Sequence, residues 1–341
     1  MRYASAKLLI FLLFSSLLFS QTSIESPKTE EPPKIDGRLD DAAWTTATII
    51  TDFIQRAPNT GEPMTENTIF YVTHDKDNLY LGFKCFDSSP DKITAKELAR
   101  DASLGHDDKV QIIIDTYNDK RNAYWFQVNP RGCIGDALVS QNGAGFNKSW
   151  DGMWEGDAHM TDWGWEGEAA IPFKTMSFRE GQSVWGFKLI RQVSRKNETG
   201  YWPSANLDSY KFQVSDAAAM SGMEGMSQGI GLDVVPYGLV GSEKNIETDR
   251  EYPTEAGFDA FYQITPGLKS ALTMNTDFAQ TEVDDRRINL TRFRLFFEEK
   301  RDFFLDGANY FNFGLNGDRE NPYSQSVMPF FSRRMGLDAD G

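Results

Sequence analysis

"DKVQIIIDTYNDKRNAYWFQVNPRG", residues 108–132, sets two runs of strand-forming residues on either side of a polar break. Val, Ile, Tyr, Trp and Phe dominate the flanks, while "NDKRN" between them has no apolar side chain. β-Branched and aromatic residues suit a pleated, half-buried surface, so this pattern predicts an antiparallel hairpin. The same reading holds outward from it. "TIFYVTHD" leads through a turn at Asp75–Asn78 into "DNLYLGFKCFD". "GWEGEAAIPF" follows a turn at Asp162–Gly164, and "SVWGFKLIRQVSRK" follows "REGQ". Short strands at this spacing with few helical runs predict an all-β protein built on an antiparallel β-sandwich. "DDAAWTTA" is expected to form a short helix and "PFKTMSF" a helical turn.

The 341 residues are enough for two domains, and aromatics at 13% of the chain favour β structure. A net charge of −15 without a Lys/Arg run excludes nucleic acid as a partner, because phosphates would be repelled. At the N-terminus, Arg2 and Lys7 form a positive region ahead of an apolar stretch from Leu8 to Phe19, too short to span a bilayer. Residues 1–20 therefore read as a signal peptide cleaved after Ser20, and the protein as exported. Residues 21–33 read as a polar, proline-bearing tether, residues 34–215 as the sandwich, and the Gly- and Met-rich 216–228 as a linker. Export permits a disulfide between Cys85 and Cys133, but Cys85 alternates with Leu81 and Phe83 and reads as a small buried hydrophobe.

Residues 229–341 have another texture. "TPG" at 265–267 is a tight turn between two strands of about ten residues, the length that crosses a membrane. Phe258, Ala260, Tyr262 and Ile264 share one face, with Asp259 and Gln263 on the other. Leu268, Leu272 and Met274 continue an apolar face opposite Lys269, Thr273 and Asn275. Hairpins with one apolar and one polar face are what a membrane β-barrel requires.

Six motifs, "KIDGRLDDAAW", "GHDDKVQIIIDTYND", "AYWFQVNPRG", "SWDGMWEG", "GWEGEAAIPF" and "WGFKLIRQVSRKNE", occur in order over residues 34–215. Together they resemble the family 9 carbohydrate-binding module-like domain. The region from Gly229, including the Phe-rich "NLTRFRLFFEEKRDFFLDGANYF" at 289–311, resembles an uncharacterised family of exported bacterial proteins in which such a module precedes an outer-membrane barrel. The resemblance implies a Gram-negative outer-membrane protein with the sandwich in the periplasm or at the cell surface. It also implies that 229–341 holds the opening hairpins of an incomplete barrel, in a chain that is an N-terminal fragment.

Sugar recognition needs flat rings and polar groups that fix hydroxyls. Trp125, Trp150 and Trp202 lie nearest loops and are the candidate platforms, with Gln127 and Arg191 as polar candidates. Trp44 and Trp185 read as core. The resemblance implies a sugar clamped between two tryptophans beside an arginine. The first clamp position falls on Gly105, the arginine position on Gln127, and the second clamp position near Trp202, so the fold is retained and most of the clamp replaced. Asp107, Asp108, Asp115 and Asp119 flank one strand as hard oxygen ligands that could hold Ca²⁺. Glycoside hydrolysis needs two carboxylates at a defined separation, one with a raised pKa. Glu166 and Glu168 alternate with Gly and Ala and read as a solvated face. The function expected is glycan capture or uptake at a barrel, in support of polysaccharide catabolism. The alternatives are a structural plug domain that binds no sugar and an O-glycosyl hydrolase.

Overall fold

The computed structural model describes residues 22–179, 181–205, 207–226, 232–241, 254–265 and 268–275. The signal peptide and the Phe-rich stretch at 289–311 lie outside the described residues. The chain begins with β1 (Ser23–Glu25), β2 (Thr48–Ile50), β3 (Ile54–Ala57), β4 (Thr68–His74) and β5 (Asn78–Phe86). There follow β6 (Lys109–Asp115), β7 (Ala123–Val128), β8 (Ile134–Ser140), β9 (Gly145–Asn147) and β10 (Glu155–Thr161). Next come β11 (Gly164–Pro172), β12 (Trp185–Val193), β13 (Glu198–Trp202) and β14 (Ala218–Ser221). The last three are β15 (Leu232–Val240), β16 (Thr254–Thr265) and β17 (Leu268–Met274). Helical structure among the described residues is confined to short 3-10 turns, including Ala42–Thr45 and Phe173–Thr175 where the sequence places them.

Two sheets make the sandwich. The larger runs β1-β14-β12-β6-β7-β8-β9, with β13 and β3 continuing from the other half of β12's edge. The smaller runs β10-β11-β5-β4-β2. Strand alternation explains why they stack. Val110, Ile112 and Ile114 of β6, Phe126 of β7, and Phe187 and Leu189 of β12 point inward. They meet Phe70, Val72, Leu81, Phe83, Trp165 and Ile171 of the smaller sheet, and all of these are fully buried. Each such side chain contributes about 1.5–3 kcal/mol relative to exposure. The hairpin turns are held by carboxylates: Asp75 accepts the backbone N–H of Asp77 and Asn78, both at 2.7 Å.

The sandwich is longer than its sequence suggests. Residues 22–29, expected as a tether, are built into it. β1 pairs in parallel with β14, whereas every other ladder between these strands is antiparallel. Beyond β1 the chain crosses to the smaller sheet, where Thr29 N–H donates to the His74 carbonyl at 2.7 Å and His74 N–H to the Pro27 carbonyl at 3.1 Å. Prolines lack only the donor, so a proline-bearing segment can still supply these acceptors. The expected linker at 216–228 likewise contains β14, and Ala218, Met220 and Met223 are buried in the core. Methionine fills irregular gaps, which is why a Met-rich stretch serves here. Gly222, with φ of 85°, lets the chain turn where a Cβ would come within 2.6 Å of the Ser26 carbonyl oxygen.

β15, β16 and β17 form a separate three-stranded antiparallel sheet. Its register pairs Ala260 with both Val234 and Leu272, and Phe258 with Met274, so these apolar residues of the three strands share one face. The other face is mixed, with Asp233, Asp259 and Thr273 beside Val235, Tyr237 and Phe261.

Removing residues 22–27 should lower the thermal midpoint of the sandwich. Loss of the β1–β14 ladder and the contacts to His74 corresponds to about 2–4 kcal/mol, at about 1 kcal/mol per hydrogen bond. An unchanged melting curve by circular dichroism would show that the segment is a tether after all.

Candidate functional site

Burial of one face of the large sheet sends the alternate residues outward. These are Lys109, Gln111 and Ile113 on β6, Trp125 and Gln127 on β7, and Lys188, Ile190 and Gln192 on β12. Gln111 pairs directly with Gln127 on one side and Ile190 on the other. This outer face is covered by a strap, residues 207–216. Arg56 donates to the Leu207 carbonyl at 3.0 Å and to that of Ser209 at 2.5 Å. Lys188 donates to the carbonyls of Tyr210 and Gln213 and bonds Asp216 at 2.9 Å. Asn142 Oδ1 accepts the N–H of Val214 and Ser215.

Beneath the strap lies an aromatic cluster. The Phe212 ring stacks on Phe146 with centroids 4.3 Å apart, and the Trp125 ring stands edge-on to both, at 5.1 Å from Phe146 and 6.0 Å from Phe212. Lys211 Nζ sits 4.9 Å from the Phe212 ring centroid and 6.0 Å from that of Trp125. The Trp125 indole N–H donates to Gln111 Oε1 at 3.2 Å.

Of the residues expected to bind sugar, this face brings together Trp125 and Gln127, each 3% exposed. Gln127 Nε2 donates to the Ala102 carbonyl at 3.4 Å. Trp150 and Trp202 lie elsewhere, in the core between the sheets. Trp150 packs on Tyr124 and Phe126, and Trp202 on Phe187. Trp202 pairs with inward-facing Leu189, so its neighbour Tyr201 meets the strap instead. None of the three tryptophans offers an open ring face as the sequence reading expected. Arg191 is also internal: its guanidinium stands 5.1 Å from the Trp165 ring and 3.6 Å from the Asp108 carboxylate. Gly105 is exposed, with its carbonyl accepting Gln192 Nε2 at 3.1 Å. Phe146, Phe212, Lys109, Lys211 and Gln111 escaped the sequence reading, because residues 146 and 211–212 lie far from β6 in the chain.

The four aspartates do not form a calcium site. Asp107 and Asp108 precede β6 and Asp115 ends it, so seven residues of extended chain, on the order of 20 Å, separate the pairs. Each aspartate already serves the backbone, and Asp108 Oδ1, which has no hydrogen-bond partner, faces the Arg191 guanidinium. Asp107 Oδ2 accepts the N–H of Lys96 and Glu97 and the Asn129 amide. Asp108 accepts Thr94 N–H, Asp115 those of Asp119 and Lys120, and Asp119 those of Arg121 and Asn122. Among the described residues no three His, Cys, Asp or Glu side chains converge on a metal position. Cys85 and Cys133 are free, buried thiols.

Burial raises the pKa of five carboxyls, Asp108, Asp115, Asp136, Glu168 and Asp216; Glu168 and Asp136 move furthest, and each is committed to the fold. Glu168, expected on a solvated face, is fully buried because "KIDGRLDDAAW" folds over that side of the smaller sheet. It accepts the Trp44 indole N–H at 2.8 Å and the backbone N–H of Asp36 and Gly37 at 3.1 and 3.2 Å. Burial outweighs these donors and pushes Glu168 up to about 7. Asp136, on β8 of the other sheet, accepts Trp154 Nε1 at 2.8 Å and Gly152 N–H at 3.0 Å. Burial raises Asp136 to about 6 despite Arg100, which reaches it at 2.6 Å. Arg100 also lines a cleft of about 910 Å³ with Lys34, Tyr80, Met153, Trp154 and Lys174, but its charge is shared between Asp136 and Asp151.

Two family models match the chain. Residues 35–201 match the family described as carbohydrate family 9 binding domain-like, and residues 229–337 match a domain of unknown function, DUF5916. The first match ends before the strap and excludes β1 and β14. Among solved structures, a putative carbohydrate-binding protein from Bacteroides uniformis is 13% identical, covering 59% of this chain and 99% of its own, with a TM-score of 0.48. A family 9 carbohydrate-binding module from Caldicellulosiruptor kristjanssonii in complex with glucose is 16% identical, covering 61% and 99%, with a TM-score of 0.44. Its complex with cellotriose gives 16%, 59%, 93% and 0.40. No curated protein matches the chain. Residues 35–201 are thus similar to the family 9 carbohydrate-binding domains in sequence, over just under half of the chain.

The raised carboxyls predict a pH dependence of stability. Between pH 4.5, the unperturbed value, and about 7, folded Glu168 keeps a proton that the unfolded chain has lost. Stability from this group is greatest below 4.5 and falls as pH rises through 7, and Asp136 adds in the same direction. Glu168 and Asp136 should therefore lower the thermal midpoint between pH 5 and 7, against His74, whose pKa burial lowers and which works in the opposite direction. Glu168→Gln should flatten that slope while lowering the midpoint throughout, because its amide would face the N–H groups of Asp36 and Gly37. An unaltered slope in the variant would remove Glu168 as its source.

Proposed function

We propose that this protein is a non-catalytic carbohydrate-binding module of an exported, Gram-negative outer-membrane protein, engaged in glycan capture or uptake. The match of residues 35–201 to the family 9 binding domain carries this reading. The outer face of the large sheet is the site we assign to it, since Trp125, Phe146 and Phe212 stand there beside the amides of Gln111 and Gln127. Rings with adjacent amides are the chemistry that holds a sugar. Asp136 and Glu168 sit in different sheets with their oxygens taken by protein N–H groups, which argues against a paired-carboxylate hydrolase. Burial of Trp150 and Trp202, with Phe146 and Phe212 already in contact, favours a second reading in which the sandwich is an architectural plug.

The membrane assignment rests on the three-stranded sheet. Leu232, Val234, Val240, Tyr262, Ile264, Leu272 and Met274 are 47–80% exposed and share the more apolar of its two faces, while Val235, 52% exposed, lies on the other. Apolar faces of this extent on soluble proteins are uncommon, and lipid is the medium that suits a strand face alternating with a polar one.

A glycan-array screen of the full chain, followed by tryptophan fluorescence titration, should yield a saturable ligand. Silence from folded protein across neutral and acidic plant, algal and bacterial glycans would favour the plug. For the membrane assignment, an environment-sensitive dye on Leu272→Cys should shift to the blue in bilayers, whereas on Thr273→Cys it should not. The two native thiols are buried and should not compete for the dye. Equal spectra at both positions would count against a lipid-facing strand.

A further inference from the structure

The outer face of the large sheet carries two ammonium groups without ion-pair partners and one amide N–H group without an acceptor. Lys211 and Lys109 form no ion pair among the described residues. Lys211 Nζ rests over aromatic rings, and the Lys109 ammonium has the Leu104 carbonyl as its hydrogen-bond partner. The carboxylate whose charge acts on Lys109 is Asp107, whose Oδ2 already accepts three N–H groups. One step along β6, Gln111 is fully buried. Its carbonyl oxygen is taken by Trp125, and its Nε2 has no partner. An unpaired buried N–H costs about 1–3 kcal/mol, and an unpaired sheltered ammonium costs more.

The titration of the two lysines is consistent with an uncompensated site. Burial, then the Lys109 charge, pulls Lys211 down to about 7. Burial lowers Lys109 to about 8, with Asp107 opposing and Lys148 adding to the fall. A neutral sugar would leave this charge unanswered, whereas an anion would meet both ammonium groups and the free amide.

We propose that this face binds the acidic group, carboxylate or sulfate, of an anionic saccharide between Lys109, Lys211 and the Gln111 amide, with the sugar ring against the Trp125–Phe212 cluster. Lys211, Phe212 and Phe146 are partly exposed, so the ligand arrives at the edge of the strap. Reaching Gln111 requires residues 211–213 to shift. The proposal rests on the carbohydrate-binding reading above and names the ligand class for it.

The test is a fluorescence and calorimetric titration of the full chain with oligogalacturonate, a sulfated galactan oligosaccharide, a neutral cello-oligosaccharide, and free acetate and sulfate. At least one acidic saccharide should bind tenfold or more tighter than the neutral one, and its binding should weaken with salt. Lys211→Gln should lose that preference about tenfold, and Lys211→Glu should abolish it, with near-ultraviolet circular dichroism unchanged. Equal or tighter binding of the neutral sugar, untouched by either variant, would overturn the proposal and leave the carbohydrate-binding reading intact. Acidic preference that survives both variants would overturn the site. Acetate or sulfate binding as tightly as the saccharides would reduce it to a simple anion site. No binding of any saccharide by folded protein would remove both readings together.

Discussion

The β6–β12 ladder, from Gly186 opposite Asp115 to Gln192 opposite Lys109, lies at the centre of the large sheet, and everything else is arranged about its two faces. Val110, Ile112, Ile114, Phe187 and Leu189 must all point one way to bury against the smaller sheet. A slip of one residue would exchange them for Lys109, Gln111, Lys188 and Ile190. That constraint decides the register, and it also decides that lysines and a glutamine emerge together on the opposite face. The strap answers part of this demand. It gives Lys188 a carboxylate and two carbonyls while leaving Lys109 and Lys211 without an ion-pair partner and Gln111 Nε2 without an acceptor.

The two sheets are joined by more than apolar contact. Arg195, just beyond β12, donates to Asp87 at 2.6 and 3.0 Å and also reaches Glu66, at the ends of the smaller sheet's strands. Lys196 pairs with the same Glu66 at 2.5 Å. Sheltered charges like these are costly to strand, so the network favours one alignment of the layers over neighbouring ones. At the opposite surface, Glu168 performs the same service for the segment 36–44 by gathering three N–H groups onto one carboxylate. A buried acid there is a fastening, and its raised pKa is a consequence of burial rather than a mark of catalysis.

The two regions of the chain treat apolar surface in opposite ways. In the sandwich the strap, the segment 34–47 and the N-terminal β1 are all recruited to cover sheet faces and edges. In the sheet of β15–β17, a whole apolar face stays open. Alternation alone reads the same in both regions. The difference lies in whether another element of the described chain is available to close the face, and here one is and the other is not.

The hairpins, their turns and the membership of Phe83, Ile112 or Trp185 in the core were legible in the sequence, because period-2 alternation and turn chemistry act over neighbouring residues. The faces of β16 and β17 were legible for the same reason. Glu168 was misread as solvated because its cover comes from residues 36–44, and residues 22–29 were misread as a tether because their partner strand is some 200 residues away. The aspartates around β6 look like ligands in a row, yet folding spends their oxygens on local backbone N–H groups. Trp202 could be placed near the end of the domain, but which way its ring turns depends on pairing with Leu189. The sequence by itself determined which residues could be strands and which side of each strand was apolar, since those are properties of adjacent side chains. Tertiary structure alone decided what covered each face, and with it that Phe212 and Lys211 would meet Trp125 over a buried glutamine, because only long-range packing brings those positions together.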